Sequence, residues 1–327
     1  MQKRKLGYTD LELTTIGLGT WAIGGSGWQF AWGPQDDKES IDAIHRAIDL
    51  GINWIDTAAV YGLGHSEEII RKALEGHRND VYIATKCGRV WNPGDPRPFG
   101  RLTAMSVRKE AEDSLRRLGV DVIDLYQIHW PQPDEQIEEA WTTMADLVKE
   151  GKVRYIGVSN FDVSQLERIR RIHPVASLQP PYSMIRREVE QELLAYCKEN
   201  DIGVIVYSPM QAGILTGKFT RERVEALPED DWRRTNRHYN EPELSANLKL
   251  VDGLRTIAER YERTPAELAI AWVLRRPEVT AAIVGARRPS QIEETARAGD
   301  WNLTDEVVAE IENLLAERER SLTSGLV

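Results

Sequence analysis

The chain has 327 residues, with 42 lysines and arginines against 52 aspartates and glutamates, and a formal net charge of −10 at pH 7. This acidic balance argues against nucleic acid as the main partner. No apolar run has the length needed to cross a bilayer, and the N-terminus has no signal-peptide pattern. The two cysteines, Cys87 and Cys197, lie far apart without disulfide or metal spacing. We therefore expect a cytoplasmic protein that binds neither nucleic acid nor a membrane.

Short apolar runs alternate with amphipathic segments along the whole chain. The candidate strands are, in chain order, residues 15–21, 51–57, 80–86, 122–130, 153–159, 175–181, 203–209 and 280–286. Apolar residues at helical spacing predict the helices 38–50, 66–76, 103–119, 135–151, 162–172, 187–200, 243–261 and 289–298. Two further helices are predicted at 265–276 and 304–320.

This alternation predicts one domain, residues 1–327, folded as a (β/α)8 TIM barrel with extra helices and long loops. Parallel strands that are buried on both faces read as continuous apolar runs, as these do. A doubly wound sheet is the alternative. Eight strands without a composition break favour the barrel, and no GxGxxG fingerprint follows the first strand. The stretches 91–102 and 211 to about 243 are long enough to indicate loops that serve a site.

Four ionisable side chains stand at or just beyond the ends of three successive predicted strands. Asp56 and Tyr61 follow the second strand, Lys86 ends the third and His129 ends the fourth. Barrel active sites are built at these ends of the strands. Any one of the residues could simply reach solvent, and Asp56 could cap a turn or a helix. An acid, a phenol, an amine and an imidazole together indicate a shared site.

The four groups suit proton donation to a carbonyl oxygen. An ammonium group against a phenol stabilises the phenolate, so Lys86 is expected to lower the pKa of Tyr61. Asp56 is placed to keep Lys86 charged and oriented. His129 can donate a hydrogen bond to the carbonyl oxygen. The pattern predicts that Tyr61 acts as an acid while another group attacks the carbonyl carbon.

Long motifs in the chain resemble the aldo-keto reductase family. They are WIDTAAVYG, IATKCG, DLYQIHW, VRYIGVSNF, SLQPPYS, VIVYSPMQAGILTGKF and IVGARRPSQIEE, which follow the family's order over nearly the whole chain. The chain most resembles the bacterial branch that is similar to potassium-channel β subunits and inositol-utilisation reductases. The resemblance implies a catalytic tetrad of Asp56, Tyr61, Lys86 and His129. It also implies reversible reduction of aldehydes and ketones to alcohols, with hydride from C4 of NADPH and Tyr61 as the general acid.

The same resemblance implies an NADP site in which NADPH is preferred to NADH. Ser159, Asn160 and Gln179 match positions that hold the nicotinamide carboxamide, and Tyr207 matches the aromatic residue that stacks on the nicotinamide ring. The other implied cofactor contacts are Thr20, Trp21, Asp56, Ser208, Pro209, Met210, Gln211, Ala212, Gly213, Leu215, Lys218, Arg233, Gly285, Ala286, Arg287, Gln291, Glu294 and Thr295.

Discrimination between NADP and NAD is expected from Arg287 and Arg288, which follow the last strand. Guanidinium forks suit the 2′-phosphate of NADP better than the ribose hydroxyl of NAD. Thr295 departs from the asparagine that the family usually places against the adenine, which weakens one expected contact.

The resemblance implies that Trp21, His129 and Trp130 contact the substrate. The tryptophans near the barrel mouth indicate an apolar or aromatic carbonyl compound. An alternative function on the same fold is a low-turnover NADP-binding regulatory or redox-sensing module, but such a module has no need for both Tyr61 and Lys86. A metal-dependent hydrolase needs converging histidine or carboxylate ligands. The six histidines include no such pair, so no metal is expected, while a monomer and a small homo-oligomer both stay open.

Overall fold

The structure is a computed structural model that describes residues 1–229 and 231–324. The strands in this part of the chain are β1 (Lys3–Lys5), β2 (Glu12–Thr14), β3 (Ile16–Gly19), β4 (Trp54–Asp56), β5 (Tyr82–Cys87), β6 (Arg89–Val90), β7 (Phe99–Gly100), β8 (Ile123–Ile128), β9 (Val153–Ser159), β10 (Ser177–Gln179), β11 (Gly203–Val206) and β12 (Val279–Gly285). The helices are α1 (Asp37–Asp49), α2 (His65–Ala73), α3 (Ala104–Leu118), α4 (Ile137–Lys149), α5 (Val163–Arg170), α6 (Leu193–Glu199), α7 (Arg221–Glu225), α8 (Glu243–Glu259), α9 (Pro265–Leu274), α10 (Pro289–Ala296) and α11 (Asp305–Ser324).

Eight strands form a closed parallel barrel in the order β3-β4-β5-β8-β9-β10-β11-β12. The ring closes where β12 pairs with β3, with Gly285 opposite Gly19. Each predicted apolar run overlaps one barrel strand, so the predicted (β/α)8 barrel is confirmed. The doubly wound alternative is wrong, because a doubly wound sheet stays open at its edges.

An antiparallel hairpin of β1 and β2, which the sequence patterns do not predict, covers the N-terminal end of the barrel. Leu6, Leu11 and Leu13 from this hairpin are buried in one apolar cluster with Trp54, at the start of β4. A Cβ atom at Gly17 would lie 2.1 Å from the Trp54 ring, so that position has room for glycine alone. Since this end is filled by apolar side chains, the C-terminal ends of the strands are the ones left for a site.

Several helices begin where the sequence supplies a capping residue. Asp36 caps α1 by accepting a hydrogen bond from the Glu39 amide, and Thr264 and Glu267 form a capping box on α9. The prediction for 187–200 is too long, because α6 begins only at Leu193, after a separate 3₁₀ turn at Glu188–Glu190. None of the helices in the described part of the chain combines the length and the apolar character that a membrane crossing requires.

Four 3₁₀ turns carry residues that the sequence places near the site. They are Trp21–Gly24 after β3, Tyr61–Gly64 after β4, Gln211–Thr216 after β11, and Trp232–Thr235 in the long connection between β11 and α8.

Candidate active site

Asp56 and Lys86 form a buried ion pair where β4 and β5 end. The two strands are hydrogen-bonded neighbours, so their C-terminal ends lie side by side. Nζ of Lys86 lies 2.7 Å from Oδ2 of Asp56 and 2.8 Å from the carbonyl oxygen of Thr57. The residues Lys86 and Asp56 are only 2% and 3% exposed. A charge this deeply buried needs a close partner of opposite sign, and each of these residues supplies the other's.

The phenol of Tyr61 completes this arrangement. Its oxygen accepts a hydrogen bond of 3.4 Å from Nζ of Lys86. Gly62, with φ of +62°, turns the chain directly after Tyr61. A Cβ atom at Gly62 would lie 2.2 Å from the carbonyl oxygen of Gly24. Two glycines therefore let the turn that begins with Trp21 pack directly against the turn that begins with Tyr61.

His129 approaches the same phenol from the end of β8. Its ring centroid lies 5.8 Å from that of Tyr61, in an edge-on arrangement with an interplanar angle of 79°. The backbone N–H of His129 donates to the carbonyl oxygen of Cys87 at 3.0 Å, and its own carbonyl accepts from Nδ2 of Asn160 at 3.0 Å. The structure therefore brings the four predicted side chains together, with His129 fixed through its backbone.

Burial controls the ionisation of the phenol. It raises the pKa of Tyr61 well above the ordinary value, and the nearby Asp56 and Tyr207 raise it further. The prediction that Lys86 lowers the pKa of Tyr61 overall is therefore wrong for this structure. The free energy that a phenolate loses when it is removed from water is larger than the stabilisation it gains from the Lys86 ammonium, because that ammonium is already paired with Asp56. The hydroxyl is accordingly protonated over the whole neutral range.

The amine and the imidazole are also shifted by burial. Burial lowers the pKa of Lys86, although Asp56 acts in the opposite direction. Burial lowers the pKa of His129 well below its ordinary value, and the charges of Lys86 and Arg89 add to this effect. His129 is therefore a neutral ring at pH 7, with one N–H donor available from one of its two nitrogens.

Four of the residues predicted to hold the nicotinamide form a continuous hydrogen-bonded chain that ends at Asp56. Tyr207 donates through its hydroxyl to Oδ1 of Asn160 at 2.8 Å, and Nδ2 of Asn160 donates to Oγ of Ser159 at 3.0 Å. Ser159 donates to the backbone carbonyl of Gln179 at 2.8 Å. The side-chain amide of Gln179 then donates to Oδ1 of Asp56 at 2.8 Å. The chain presents amide and hydroxyl groups beside Asp56.

The loop after β11 has backbone geometry that suits an anion. Ser208, Gln211 and Ala212 all have positive φ angles, of 56°, 45° and 53°. Such angles are uncommon outside glycine, and they turn backbone N–H groups into concave anion-binding arrangements. Lys218, at the end of the loop, lies 2.5 Å from Oε2 of Glu294 on α10. Inside the loop, the N–H groups of Gln211, Gly213 and Leu215 donate to backbone carbonyls of Ser208 and Met210. Lys218 is the residue that could meet the charge of a diphosphate.

The side chains of three predicted cofactor contacts are engaged inside the protein. Oγ1 of Thr20 donates to the backbone carbonyl of Asp56 at 3.1 Å, and Leu215 is fully buried. Oγ1 of Thr295 donates to the carbonyl of Gln291, one turn back on α10, at 2.9 Å. The backbone N–H groups of Thr20 and Leu215 are engaged as well, by the carbonyl oxygens of Asp56 and Met210.

The predicted adenosine end lies between β12 and the start of α10. Gly285 ends β12, Ala286 and Arg287 lie in the connection, and Gln291, Glu294 and Thr295 lie on α10. The amide of Arg287 donates to Oε1 of Gln291 at 2.7 Å. Burial lowers the pKa of Arg287, and the charges of Arg288 and Arg233 lower it further. The charges of Arg288 and Arg233 therefore act on Arg287, while Arg233 is itself paired with Asp231.

Four tryptophans, Trp21, Trp28, Trp32 and Trp232, form an aromatic wall beside Tyr61. The Trp21 ring stacks on Tyr61 at 6.4 Å and 22° and on Trp232 at 5.8 Å and 19°. Trp32 meets Trp21 edge-on at 5.5 Å, and Trp28 lies 6.2 Å from Tyr61. The sequence patterns miss Trp232, although its place beside Arg233 in a long loop was an available signal.

Two further predicted site residues, Arg233 and Trp130, each take part in a cation–π contact. The guanidinium of Arg233 is paired with Asp231 at 2.6 Å and lies 4.8 Å from the Trp32 ring centroid. Trp130, next to His129, has the guanidinium of Arg89 at 5.6 Å from its ring centroid. Arg233 therefore packs against the aromatic wall.

A closed parallel barrel with an aspartate, a tyrosine, a lysine and a histidine at its C-terminal strand ends defines a class of barrel oxidoreductases. The sequence matches the Aldo/keto reductase family over residues 15–316. It is 39% identical over 318 residues to the aldo-keto reductase YhdN of Bacillus subtilis (strain 168), a match that covers 96% of this chain and 94% of that protein. It is 38% identical over 321 residues to the NADH-specific methylglyoxal reductase of Escherichia coli (strain K12), with coverage of 93% and 95%.

A solved structure agrees with the sequence matches. The glycerol dehydrogenase AKR11B4 from Gluconobacter oxydans superimposes with a TM-score of 0.89 and 38% identity, covering 97% of this chain and 96% of that one. The chain belongs to the aldo/keto reductase family. It is therefore an oxidoreductase of carbonyl compounds, from a family that uses nicotinamide cofactors.

Proposed function

We propose that the protein reduces an aldehyde or ketone to an alcohol with NADPH, and that Tyr61 is the general acid. The observation that carries this proposal is the contact of 3.4 Å between the Tyr61 phenol and Lys86, which is itself 2.7 Å from Asp56. When bound, the nicotinamide cofactor supplies the hydride that reaches the carbonyl carbon. The reaction is reversible, because the groups that give the proton and the hydride in reduction can take them back in oxidation.

Each of the four side chains has a separate task in this proposal. Tyr61 gives its phenolic proton to the carbonyl oxygen as negative charge develops there. Lys86 stabilises the phenolate that is left behind, and Asp56 keeps Lys86 charged in a buried position. The neutral ring of His129 donates a hydrogen bond that holds the carbonyl oxygen near the phenol.

The high pKa of Tyr61 agrees with this division of labour. A buried phenol stays protonated until a stronger base forms next to it, and the alkoxide of the product is such a base. The ammonium at 3.4 Å then favours the charged phenolate most strongly at the moment it appears. The pair is thus suited to a proton that moves only when hydride moves.

The hydrogen-bonded chain from Tyr207 to Asp56 supports binding of the nicotinamide end. A carboxamide offers one acceptor and two donor hydrogens, which amide and hydroxyl side chains can match. Ser159, Asn160 and Gln179 supply these groups, while the Tyr207 ring is available for stacking. Gln179 also donates to Asp56, so cofactor binding and catalysis share one network.

A preference for NADPH is supported by Arg288, an exposed residue that follows Arg287 in the connection after β12. A guanidinium fork suits the 2′-phosphate that NADPH has and NADH lacks. The E. coli relative is named as NADH-specific, so the preference of this protein is tested by comparing its kinetics with NADPH and with NADH.

We propose that the substrate lies against Trp21 and Trp130, with its carbonyl group at His129. Flat aromatic surfaces suit an apolar substrate.

The test compares Tyr61→Phe with Tyr126→Phe, a matched removal of a hydroxyl. Tyr126 is buried on β8 in the apolar cluster that also holds Trp141 and Met144. We expect Tyr61→Phe to bind NADPH almost as the parent does, and to lose about 10²-fold or more in kcat with an aromatic aldehyde, the usual contribution of a general acid. Tyr126→Phe should keep its turnover. Unchanged kcat in Tyr61→Phe would overturn the assignment, and a parent protein that binds NADPH without turnover would point to a regulatory module.

A further inference from the structure

Arg287 follows β12, and its side chain binds the loop that follows the neighbouring strand β3. This first loop comprises residues 25–36, between the turn at Trp21–Gly24 and helix α1. Nε of Arg287 donates to Oε1 of Gln35 at 2.6 Å, Nη1 donates to the carbonyl of Trp32 at 3.4 Å, and Nη2 donates to the carbonyl of Pro34. All three nitrogens of the guanidinium are therefore engaged by one loop.

Gln35 makes the contact reciprocal. Its Nε2 donates to the backbone carbonyl of Arg287 at 2.9 Å and to Oγ of Ser40 on α1 at 3.0 Å. One glutamine thus holds the backbone and the side chain of Arg287 and ties both to the first turn of α1. The two partners are 252 residues apart, but they are neighbours in space because β12 pairs with β3.

The first loop carries part of the aromatic wall. Trp32 packs edge-on against Trp21 at 5.5 Å, and Trp21 stacks on the catalytic phenol of Tyr61 at 6.4 Å. The indole N–H of Trp21 also donates to the carbonyl of Phe30, in the same loop, at 3.0 Å. A displacement of the first loop would therefore move the surface against which the substrate is proposed to lie.

We propose that Arg287 is a positioning residue which, together with Gln35, fixes the first loop and so shapes the carbonyl-binding side of the site. The more exposed Arg288 is then the guanidinium that meets the 2′-phosphate. This division rests on the proposed function for the position of the adenosine end. The contact between Arg287 and the first loop is independent of that phosphate, which makes the two roles separable.

The kinetic test compares NADH with NADPH. NADH has no 2′-phosphate, so an effect seen with NADH cannot come from a lost contact to that phosphate. Arg287→Ala and Gln35→Leu are each assayed with saturating NADH and with saturating NADPH over a range of aromatic aldehyde. We expect both variants to raise the KM for the aldehyde by about 10-fold with either cofactor, on the scale of a lost charged hydrogen bond. Arg287→Lys should behave like Arg287→Ala, because an ammonium cannot reproduce the fork. The double variant Arg287→Ala/Gln35→Leu should be no worse than the more impaired single variant.

The matched control is Arg46→Ala. Arg46 on α1 pairs with Glu293 on α10 at 2.7 Å, so it links elements that follow Gln35 and Arg287, but it is exposed and outside the first loop. It should leave the KM for the aldehyde unchanged. The inference would be overturned if Arg287→Ala and Gln35→Leu had a normal KM for the aldehyde with NADH and only a raised KM for NADPH. Arg287 would then be assigned to binding of the 2′-phosphate.

A measurement without cofactor keeps this inference distinct from the proposed function. Iodide quenching of tryptophan fluorescence reports how open the aromatic wall is in the unliganded protein. We expect quenching to increase in Arg287→Ala and in Gln35→Leu but not in Arg46→Ala. If the parent protein turns over no carbonyl compound, the proposed function fails, yet increased quenching would still support the positioning role. Equal quenching in all four proteins would overturn it.

Discussion

The two oxygens of the Asp56 carboxylate have different partners: Oδ1 accepts from the side-chain amide of Gln179 at 2.8 Å, and Oδ2 accepts from Lys86 at 2.7 Å. Gln179 lies at the end of β10, well away from β4 around the barrel. A residue proposed to bind the nicotinamide carboxamide therefore also orients the carboxylate that holds Lys86, the lysine proposed to act in catalysis. Binding and chemistry should be coupled through this one glutamine.

Gln179→Leu tests this coupling, because leucine keeps most of the volume and loses the amide. We expect kcat to fall by about 10-fold, since Asp56 loses one neutral hydrogen bond to a charged group, and the Kd of the cofactor to rise as well. Fluorescence titration gives the Kd, and single-turnover kinetics give the rate of hydride transfer. A variant with a weaker Kd and a normal hydride-transfer rate would show that Gln179 serves the cofactor alone.

The barrel and its four ionisable residues could be predicted because local patterns determine them. Buried parallel strands read as apolar runs, and the ends of those strands must lie together once the sheet closes. The β1–β2 hairpin could not be predicted in this way. Its strands of three residues each, such as Lys3–Lys5, are too short and too charged to show a period.

What the sequence could not supply depends on contacts distant in the chain. Trp232 reaches the aromatic wall only through the path of a long loop, and Arg287 meets Gln35 across the barrel closure. The direction of the Tyr61 pKa shift also escaped prediction. The pattern shows that Lys86 is near, but it does not show how completely the phenol is removed from water.

The pH dependence of reduction should follow His129 at low pH and Lys86 at high pH. The pKa of His129 is lowered, so its neutral donor form should persist down to values below its ordinary 6.5. The pKa of Lys86 is lowered from 10.5, so the ammonium is lost as the pH rises through that lowered value. Tyr61 sets no limit in this range, because its pKa is raised. We expect a plateau in kcat/KM around neutrality with a decline on each side.

A pH profile of kcat/KM for an aldehyde, in the parent and in His129→Gln, checks this assignment. Glutamine can still donate a hydrogen bond but does not titrate, so the decline at low pH should disappear at the cost of a lower plateau. If the low-pH decline of the parent were centred above pH 6.5, burial of His129 would not be the controlling effect.

Arg288→Ala should weaken the binding of NADPH more than the binding of NADH. A charge-assisted bond to a phosphate contributes roughly 1.5–3 kcal/mol, so we expect the KM for NADPH to rise by about 10–100-fold. The KM for NADH should change far less, because NADH has a hydroxyl at that position. The two values of kcat/KM, measured at the same aldehyde concentration, give the selectivity ratio. Equal losses with both cofactors would exclude a role for Arg288 in phosphate recognition.

Loss of the Glu67 carboxylate on α2 is expected to lower the stability of the protein substantially. Glu67 is fully buried, accepts from Oγ1 of Thr85 at 2.7 Å, and pairs with Nε of Arg117 at 2.6 Å. Glu67→Ala leaves the guanidinium of Arg117, which is 18% exposed, without its main partner. Breaking a buried pair in this way costs about 3–5 kcal/mol, and we expect a loss of that size in the free energy of unfolding.

Urea denaturation of Glu67→Ala, with Asp42→Ala as its control, measures this difference. Asp42 pairs with Lys38 on the surface of α1 at 2.7 Å, with side chains that are 44% and 83% exposed. Removing such an exposed pair should cost about 0–1 kcal/mol. Thr85 precedes Lys86 on β5, so Glu67→Ala should also lower kcat, whereas Asp42→Ala should not. Equal midpoints for the two variants would mean that Arg117 turns into water and recovers its hydration when Glu67 is absent.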